Sequence, residues 1–230
     1  MNFFQKIRDL IFPKLCVICG IEVCEDGYVC EKCAKKLAQR QGKLCPVCSS
    51  AVHKCKCNMP KTLSHIRCAF WYEGEIAGYI LKMKKNRFEE MYEYSAQKLS
   101  ALVLDDERLR SCDSICYVPR SRKKRRLYGT DAAFEVAKRV SAECGIPLYP
   151  YLVCVGKKHD QKALSSKERK RNISGAFVAN ESIPAPFGKV MLIDDVMTTG
   201  ATAEECGKIL KKSGASEVCG LFVARTKCRP

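Results

Sequence analysis

The stretch VMLIDDVMTTGAT, Val190–Thr202, sets four apolar residues in front of two adjacent carboxylates, then brings three threonines around a glycine. A run that is apolar at every position, as Val190–Ile193 is, suits a central strand of a parallel sheet, whose faces are both covered by helices. In such sheets ligands bind beyond the carboxyl ends of the strands, and there the sequence puts Asp194 and Asp195. Thr198, Thr199, Gly200, Ala201 and Thr202 then read as a loop entering a helix expected to start near Ala203. Free N–H groups at a helix N-terminus, ringed by hydroxyls, hold phosphate, and glycine lets the backbone approach it closely. A sugar phosphate satisfies both halves, with its hydroxyls on the aspartates and its phosphate on the loop. Neither GxxxxGK[ST] nor a GxGxxG after a strand is present, which argues against P-loop and dinucleotide sites.

Outward from this stretch, the chain from about Thr62 alternates strand and helix patterns. Ala69–Leu104 reads as a strand or turn followed by one or two helices, and DSICYVP (113–119) as a short strand. TDAAFEVAKRVSAECG (130–145) is a helix with a Thr or Asp cap and a closing glycine. LYPYLVCV (148–155) is strand-like, TAEECGKILKKSGA (202–215) is a helix, and EVCGLFVAR (217–225) is a last strand. The expected fold class is α/β, an open, mainly parallel sheet flanked by helices, preceded by a small separate module. The expected units are residues 1–60 and 61–230.

The first unit is set apart by cysteine. Of 17 cysteines, nine fall between Cys16 and Cys57 and eight are scattered singly beyond. The close pairs are Cys16/Cys19, Cys30/Cys33, Cys45/Cys48 and Cys55/Cys57. A C-x-x-C turn aims two sulfurs at one point, and two turns complete a tetrahedral zinc site. Four pairs make two structural zinc ions, paired in sequence or interleaved, with Cys24 and His53 as spare ligands. About 60 residues with few aromatics lack a core of their own, and a structural zinc contributes on the order of 10–16 kcal/mol of folding free energy. Four consecutive pairs argue against a redox dithiol.

The formal net charge is +16, of which residues 1–60 carry +5 and residues 61–230 carry +11. Eight thiolates on two zinc ions would bring the first region to about +1. The remaining basic surface attracts nucleotide phosphates, pyrophosphate or nucleic acid. No apolar run approaches the roughly 18 residues of a membrane span, and the N-terminal stretch MNFFQKIRDLIFPKLCVIC lacks a small-residue cleavage site. A cytoplasmic protein is expected.

The thirteen-residue stretch resembles the 5-phosphoribosyl 1-pyrophosphate (PRPP) signature of the type I phosphoribosyltransferases. An amphipathic start ending in Phe12-Pro13, paired cysteines and then this domain resemble the competence protein F (ComF) family. ILKMKK (80–85) is similar to the family's lysine segment, with Lys82 or Lys84 in the matching place. YVPRSRKKRRLYGTDAA (117–133) is similar to its pyrophosphate loop. Gln161, Leu164, Arg169, Asn172, Gly175 and Phe177 match its Q-x-x-L…R-x-x-N-x-x-G-x-F. The chain departs at Tyr128-Gly129-Thr130-Asp131, where the family usually has Arg-Gly-aromatic-Asn.

The resemblance implies that Asp194 and Asp195 bind the ribose hydroxyls of PRPP, directly or through magnesium. Thr198–Thr202 would hold the 5′-phosphate. Arg120, Ser121, Arg122 and Lys82 or Lys84 would meet the pyrophosphate. Lys157–Arg171, with Gln161, Arg169 and Asn172 at or beside it, would be a lid. It further implies work in DNA uptake, with single-stranded DNA and a helicase as partners. The rival expectation is a non-catalytic DNA- or partner-binding module with a vestigial pocket. No residue reveals the acceptor.

Overall fold

A computed structural model describes residues 14–23, 27–39, 60–85, 88–156 and 175–226. The described strands are β1 (His65–Trp71), β2 (Ser114–Tyr117), β3 (Leu152–Cys154), β4 (Phe177–Ala179), β5 (Lys189–Met197) and β6 (Glu217–Arg225). The described helices are α1 (Glu31–Gln39), α2 (Gly74–Lys85), α3 (Glu89–Asp105), the single turn α4 (Glu107–Arg110), α5 (Arg122–Tyr128), α6 (Ala132–Cys144) and α7 (Ala201–Lys212). Four strands form a parallel sheet in the order β1-β6-β5-β2, and β3 and β4 form a separate antiparallel pair.

The apolar run of β5 splits between the two faces because strand side chains alternate. Met191 and Ile193 join Ile115 and Leu221 in one buried cluster with Leu99 and Val103 of α3 and Val136 and Val140 of α6. Val190 and Leu192 join Cys116, Val218 and Phe222 in a second cluster, closed by Cys206 and Leu210 of α7. Three layers result, as the sequence predicts. Helix α6 ends at Gly145 in the left-handed conformation and has Asp131 at its N-cap, both as expected.

Four details differ from expectation. The ladder of β5 continues through both aspartates to Met197, because β6 runs alongside it with Asp194 opposite Phe222 and Met197 opposite Arg225. Helix α7 begins at Ala201, two residues early, because Gly200 turns the chain at φ 75°. Much of the expected pyrophosphate loop is helix α5, capped by the Ser121 hydroxyl and closed by left-handed Gly129. Strand β3 pairs antiparallel with β4 instead of joining the main sheet.

The first cysteine pairs pack into the same core as the sheet. Cys16, Val17, Ile18 and Cys33 belong to the cluster of Tyr79, Tyr94 and Leu99. Tyr94, on α3, is the shared centre, with ring centroids 6.1 Å from Tyr28, 6.0 Å from Phe70 and 6.1 Å from Tyr79. The Tyr28 hydroxyl donates to Glu93 at 3.0 Å, and Lys36 pairs with Glu75 of α2 at 2.9 Å. Aromatic contacts of this kind add to the area they bury. Replacing Tyr94 by Ala is therefore expected to destabilise the chain by about 3–5 kcal/mol, read as a lower urea midpoint. A solvent-exposed interface would show almost no change.

Candidate functional site

Strand β2 leaves the ladder at Tyr117, opposite Ile193, with a last bond from Val118 N–H to the Ile193 carbonyl at 3.0 Å. Beyond it, β5 runs on with only β6 beside it among the described strands, so the side of Asp194 and Asp195 facing away from β6 opens into a cleft of about 1140 Å³. Lys84, Arg120, Asp131, Asp194, Asp195 and Thr202 are among its walls.

The cations there are directed at Asp195. Lys84 Nζ lies 2.8 Å from its Oδ1 and Arg120 Nη2 lies 3.9 Å from its Oδ2. Arg120 also donates from Nη1 to the carbonyls of Lys84 (3.0 Å) and Thr130 (3.3 Å), tying the end of α2 to the turn before α6. Its guanidinium lies over the Tyr128 ring, 5.8 Å from the centroid. Of the two candidate lysines, Lys84 enters the cleft; Lys82 is exposed on α2.

Asp194 is half-buried and accepts the Asp195 N–H at 2.8 Å. Burial, reinforced by the neighbouring Asp195 charge and opposed by Lys84, pushes its carboxyl well above the usual range. Two adjacent carboxyl groups at the end of a strand suit a site that receives hydroxyls or a cation.

A third carboxylate, missed as a site residue in the sequence, stands close by. Asp131 Oδ2 accepts the Arg120 N–H at 2.7 Å while Oδ1 is buried without a hydrogen-bond partner. Burial pushes its carboxyl up, and the Arg120 N–H and charge pull it down. The bond falls within the stretch that departs from the family pattern. The expected cap bond to its own helix is absent, and the side chain organises the Arg120 turn instead.

On the other side, Thr198 and Thr199 are exposed and Gly200 is buried. The turn is tied to the end of β6: Thr226 N–H donates to the Met197 carbonyl at 3.1 Å and its hydroxyl to the Thr198 carbonyl at 3.2 Å. Thr199 Oγ1 accepts the Ala201 N–H at 3.4 Å. Gly200 is required twice over, by φ 75° and because a Cβ there would lie 2.8 Å from Pro60 Cγ. Thr202 brings the first turn of α7 to the cleft. Ser121 caps α5, and exposed Arg122 lines the mouth. Gln161, Arg169 and Asn172 lie outside the described residues, as do Cys24, Cys45, Cys48, His53, Cys55 and Cys57.

A second centre is the thiol cluster Cys16, Cys19, Cys30 and Cys33, whose sulfurs all lie within 4.8 Å of one another. Tetrahedral zinc with bonds of about 2.3 Å implies sulfur–sulfur edges of about 3.8 Å, and Cys19 and Cys30 are 3.7 Å apart. The donor set fits zinc, and the first two pairs combine in sequence. The Cys16 carbonyl accepts the Gly20 N–H at 2.8 Å, closing the first turn, and α1 begins directly after Cys30. Cys33→Ser is expected to lower the zinc content by one equivalent per chain, measured by atomic emission. Unchanged zinc would exclude this ligand set.

Residues 7–69 match the double zinc ribbon domain family. The DNA utilization protein YhgH of Escherichia coli (strain K12) is 26% identical over 86% of this chain and 97% of its own length. Competence protein F of Haemophilus influenzae is 41% identical, over 26% of this chain and 27% of that one. Adenine phosphoribosyltransferase of Rhizobium meliloti is 49% identical over 39 residues, 17% of this chain and 22% of that one. Among solved structures, orotate phosphoribosyltransferase from Aeropyrum pernix aligns with a TM-score of 0.38 at 17% identity, covering 64% of each chain. Glutamine PRPP amidotransferase from B. subtilis aligns with a TM-score of 0.40 at 20% identity, covering 62% of this chain and 30% of that one.

The fold is of the α/β class, a parallel sheet flanked by helices, with a match to the double zinc ribbon family at its N-terminal end. Over most of its length the chain is similar to the DNA utilization protein YhgH, and over a shorter stretch to competence protein F.

Proposed function

We propose that the cleft binds PRPP with magnesium and that the protein works in DNA uptake as a phosphoribosyltransferase-type domain with an unassigned acceptor. The observation that carries this reading is the pairing of Lys84 and Arg120 with Asp195 at the end of β5, beside a helix N-terminus entered through Gly200. Asp194 and Asp195 would accept the ribose 2′ and 3′ hydroxyls. The Thr198–Thr202 turn would take the 5′-phosphate on N–H groups that have no intrahelical acceptor. Lys84 and Arg120, with Ser121 and Arg122 at the mouth, would meet the pyrophosphate.

Magnesium, held by the aspartates and the ligand's own oxygens, would neutralise the leaving pyrophosphate. Asp194 and Asp195 would stabilise the positive charge that develops on the ribose. Lys157–Arg171, with Gln161, Arg169 and Asn172, would close over the ligand and exclude water. Cys45, Cys48, Cys55 and Cys57 would hold a second zinc, and residues 1–60 and 61–230 are taken as the two units. No described helix is long and apolar enough to cross a membrane, and action in the cytoplasm is part of this proposal.

Titration of zinc-loaded protein with PRPP and magnesium by calorimetry is expected to give saturable heat. Asp194→Asn is expected to weaken binding at least tenfold, about 1.4 kcal/mol. A wild type without binding by calorimetry and by a second assay would overturn the reading.

A second reading has its own support. Arg122–Arg126 are five consecutive exposed basic residues on α5, with no acidic residue in that helix, and the first three of them line the cleft. This surface suits single-stranded DNA, alone or presented by a helicase. Each phosphate contact adds about −0.7 to the slope of log K against log salt, so Arg125→Ala with Arg126→Ala is expected to flatten the slope by about 1.4. Binding that ignores salt would exclude this surface.

A further inference from the structure

The segment that joins the cysteine-rich region to the sheet is stitched to the phosphate turn. Pro60, three residues after Cys57 in sequence, is buried with its ring against Gly200. The Pro60 carbonyl accepts the Leu63 N–H at 3.2 Å, folding the segment into a turn. Between them, Thr62 reaches the first turn of α7. Its N–H donates to Glu204 Oε2 at 3.1 Å and its hydroxyl lies 3.2 Å from the same oxygen and 3.3 Å from the Glu204 carbonyl. Gly207, one turn on, makes room for it, since a Cβ there would lie 2.3 Å from Thr62 Oγ1.

Glu204 is in an awkward place for a phosphate site. A carboxylate in the first helical turn is drawn to the positive end of the helix and can fold back onto its free N–H groups. There it competes with an incoming phosphate and repels it. Both Thr62 donors converge on Oε2, and Lys208 Nζ stands 3.7 Å from Oε1. The carboxylate is thereby turned toward the linking segment.

We infer that Thr62 is a positioning residue for the phosphate half of the cleft: with Pro60 packed on Gly200, it holds the Glu204 carboxylate away from the N-terminus of α7 and keeps that N-terminus available to an anion. This rests on the sugar-phosphate reading of the cleft. The linking segment lies within the residues matched by the double zinc ribbon family.

The test uses the full, zinc-loaded chain and two ligand fragments, ribose 5-phosphate and inorganic pyrophosphate with magnesium. The positioning residue acts on one half of the cleft only. Thr62→Val keeps the shape against Gly207 and removes the hydroxyl donor. It is expected to weaken ribose 5-phosphate about tenfold, the scale of one hydrogen bond to a charged group, and to leave pyrophosphate affinity unchanged. Thr62→Ser is expected to bind both like the wild type.

Adding Glu204→Gln to Thr62→Val removes the competing charge and is expected to restore ribose 5-phosphate affinity, which a merely structural role for Thr62 would not do. Ribose 5-phosphate binding unchanged in Thr62→Val would overturn the inference alone, as would a double variant as weak as the single one. A wild type that binds neither fragment would remove the pocket reading and this role with it. Should Thr62→Val fail to fold, Thr62→Ala in the Glu204→Gln background, compared with Glu204→Gln alone, decides: equal affinities support the role and a further loss overturns it.

Discussion

A buried carboxylate needs cations or donors close by, because desolvation costs several kcal/mol per ion. Asp195 meets that need with Lys84 and Arg120, and the arrangement of the cleft follows from how they reach it. Lys84 comes from the last turn of α2. Arg120 comes from the turn after β2, and its remaining donors hold the carbonyl of Lys84 and that of Thr130. The arginine is fixed in turn by Asp131, whose carboxylate takes its backbone N–H. Two ion pairs thus join the end of α2 and the turn after β2 to the end of β5, three segments distant in sequence.

The zinc-binding end of the chain belongs to this arrangement. Cys16 and Cys33 are buried beside Tyr94, and Tyr94 sits on the helix that packs against the sheet. Small zinc modules have too little apolar surface to fold unaided. Here the first ribbon also borrows a core from its neighbour. The domain boundary drawn by composition at residue 60 is therefore a boundary of chemistry, with the apolar packing continuous across it.

What was legible in the sequence was local. Val190–Ile193 announced a buried strand, Gly200 announced a turn into a helix, and the spacing of Cys16, Cys19, Cys30 and Cys33 announced a thiol cluster that fits a metal; each depends on neighbours a few residues away. Helix α5 was hidden because its residues were read as a charged loop, although Ser121 and Gly129 are good cap residues. The pairing of β3 with β4 was hidden because three-residue strands leave almost no periodic signal. Asp131 looked like an ordinary helix cap, and its partner Arg120 lies eleven residues back. Thr62 and Glu204 are 142 residues apart, and no local pattern ties a linker threonine to a distant helix.

The short β2 has a consequence for how such a protein can change. It stops at Tyr117 while β5 continues to Met197, so the opening is made by unequal strand lengths within one sheet. A rigid floor on one side, held by β6, faces a wall on the other built of turns and the exposed helix α5. Substitutions in that wall leave the ladder intact, because among the described residues no β5 backbone bond beyond the one to Val118 runs to it. A lineage can then vary the wall, residue by residue, while the floor that carries Asp194 and Asp195 is inherited unaltered.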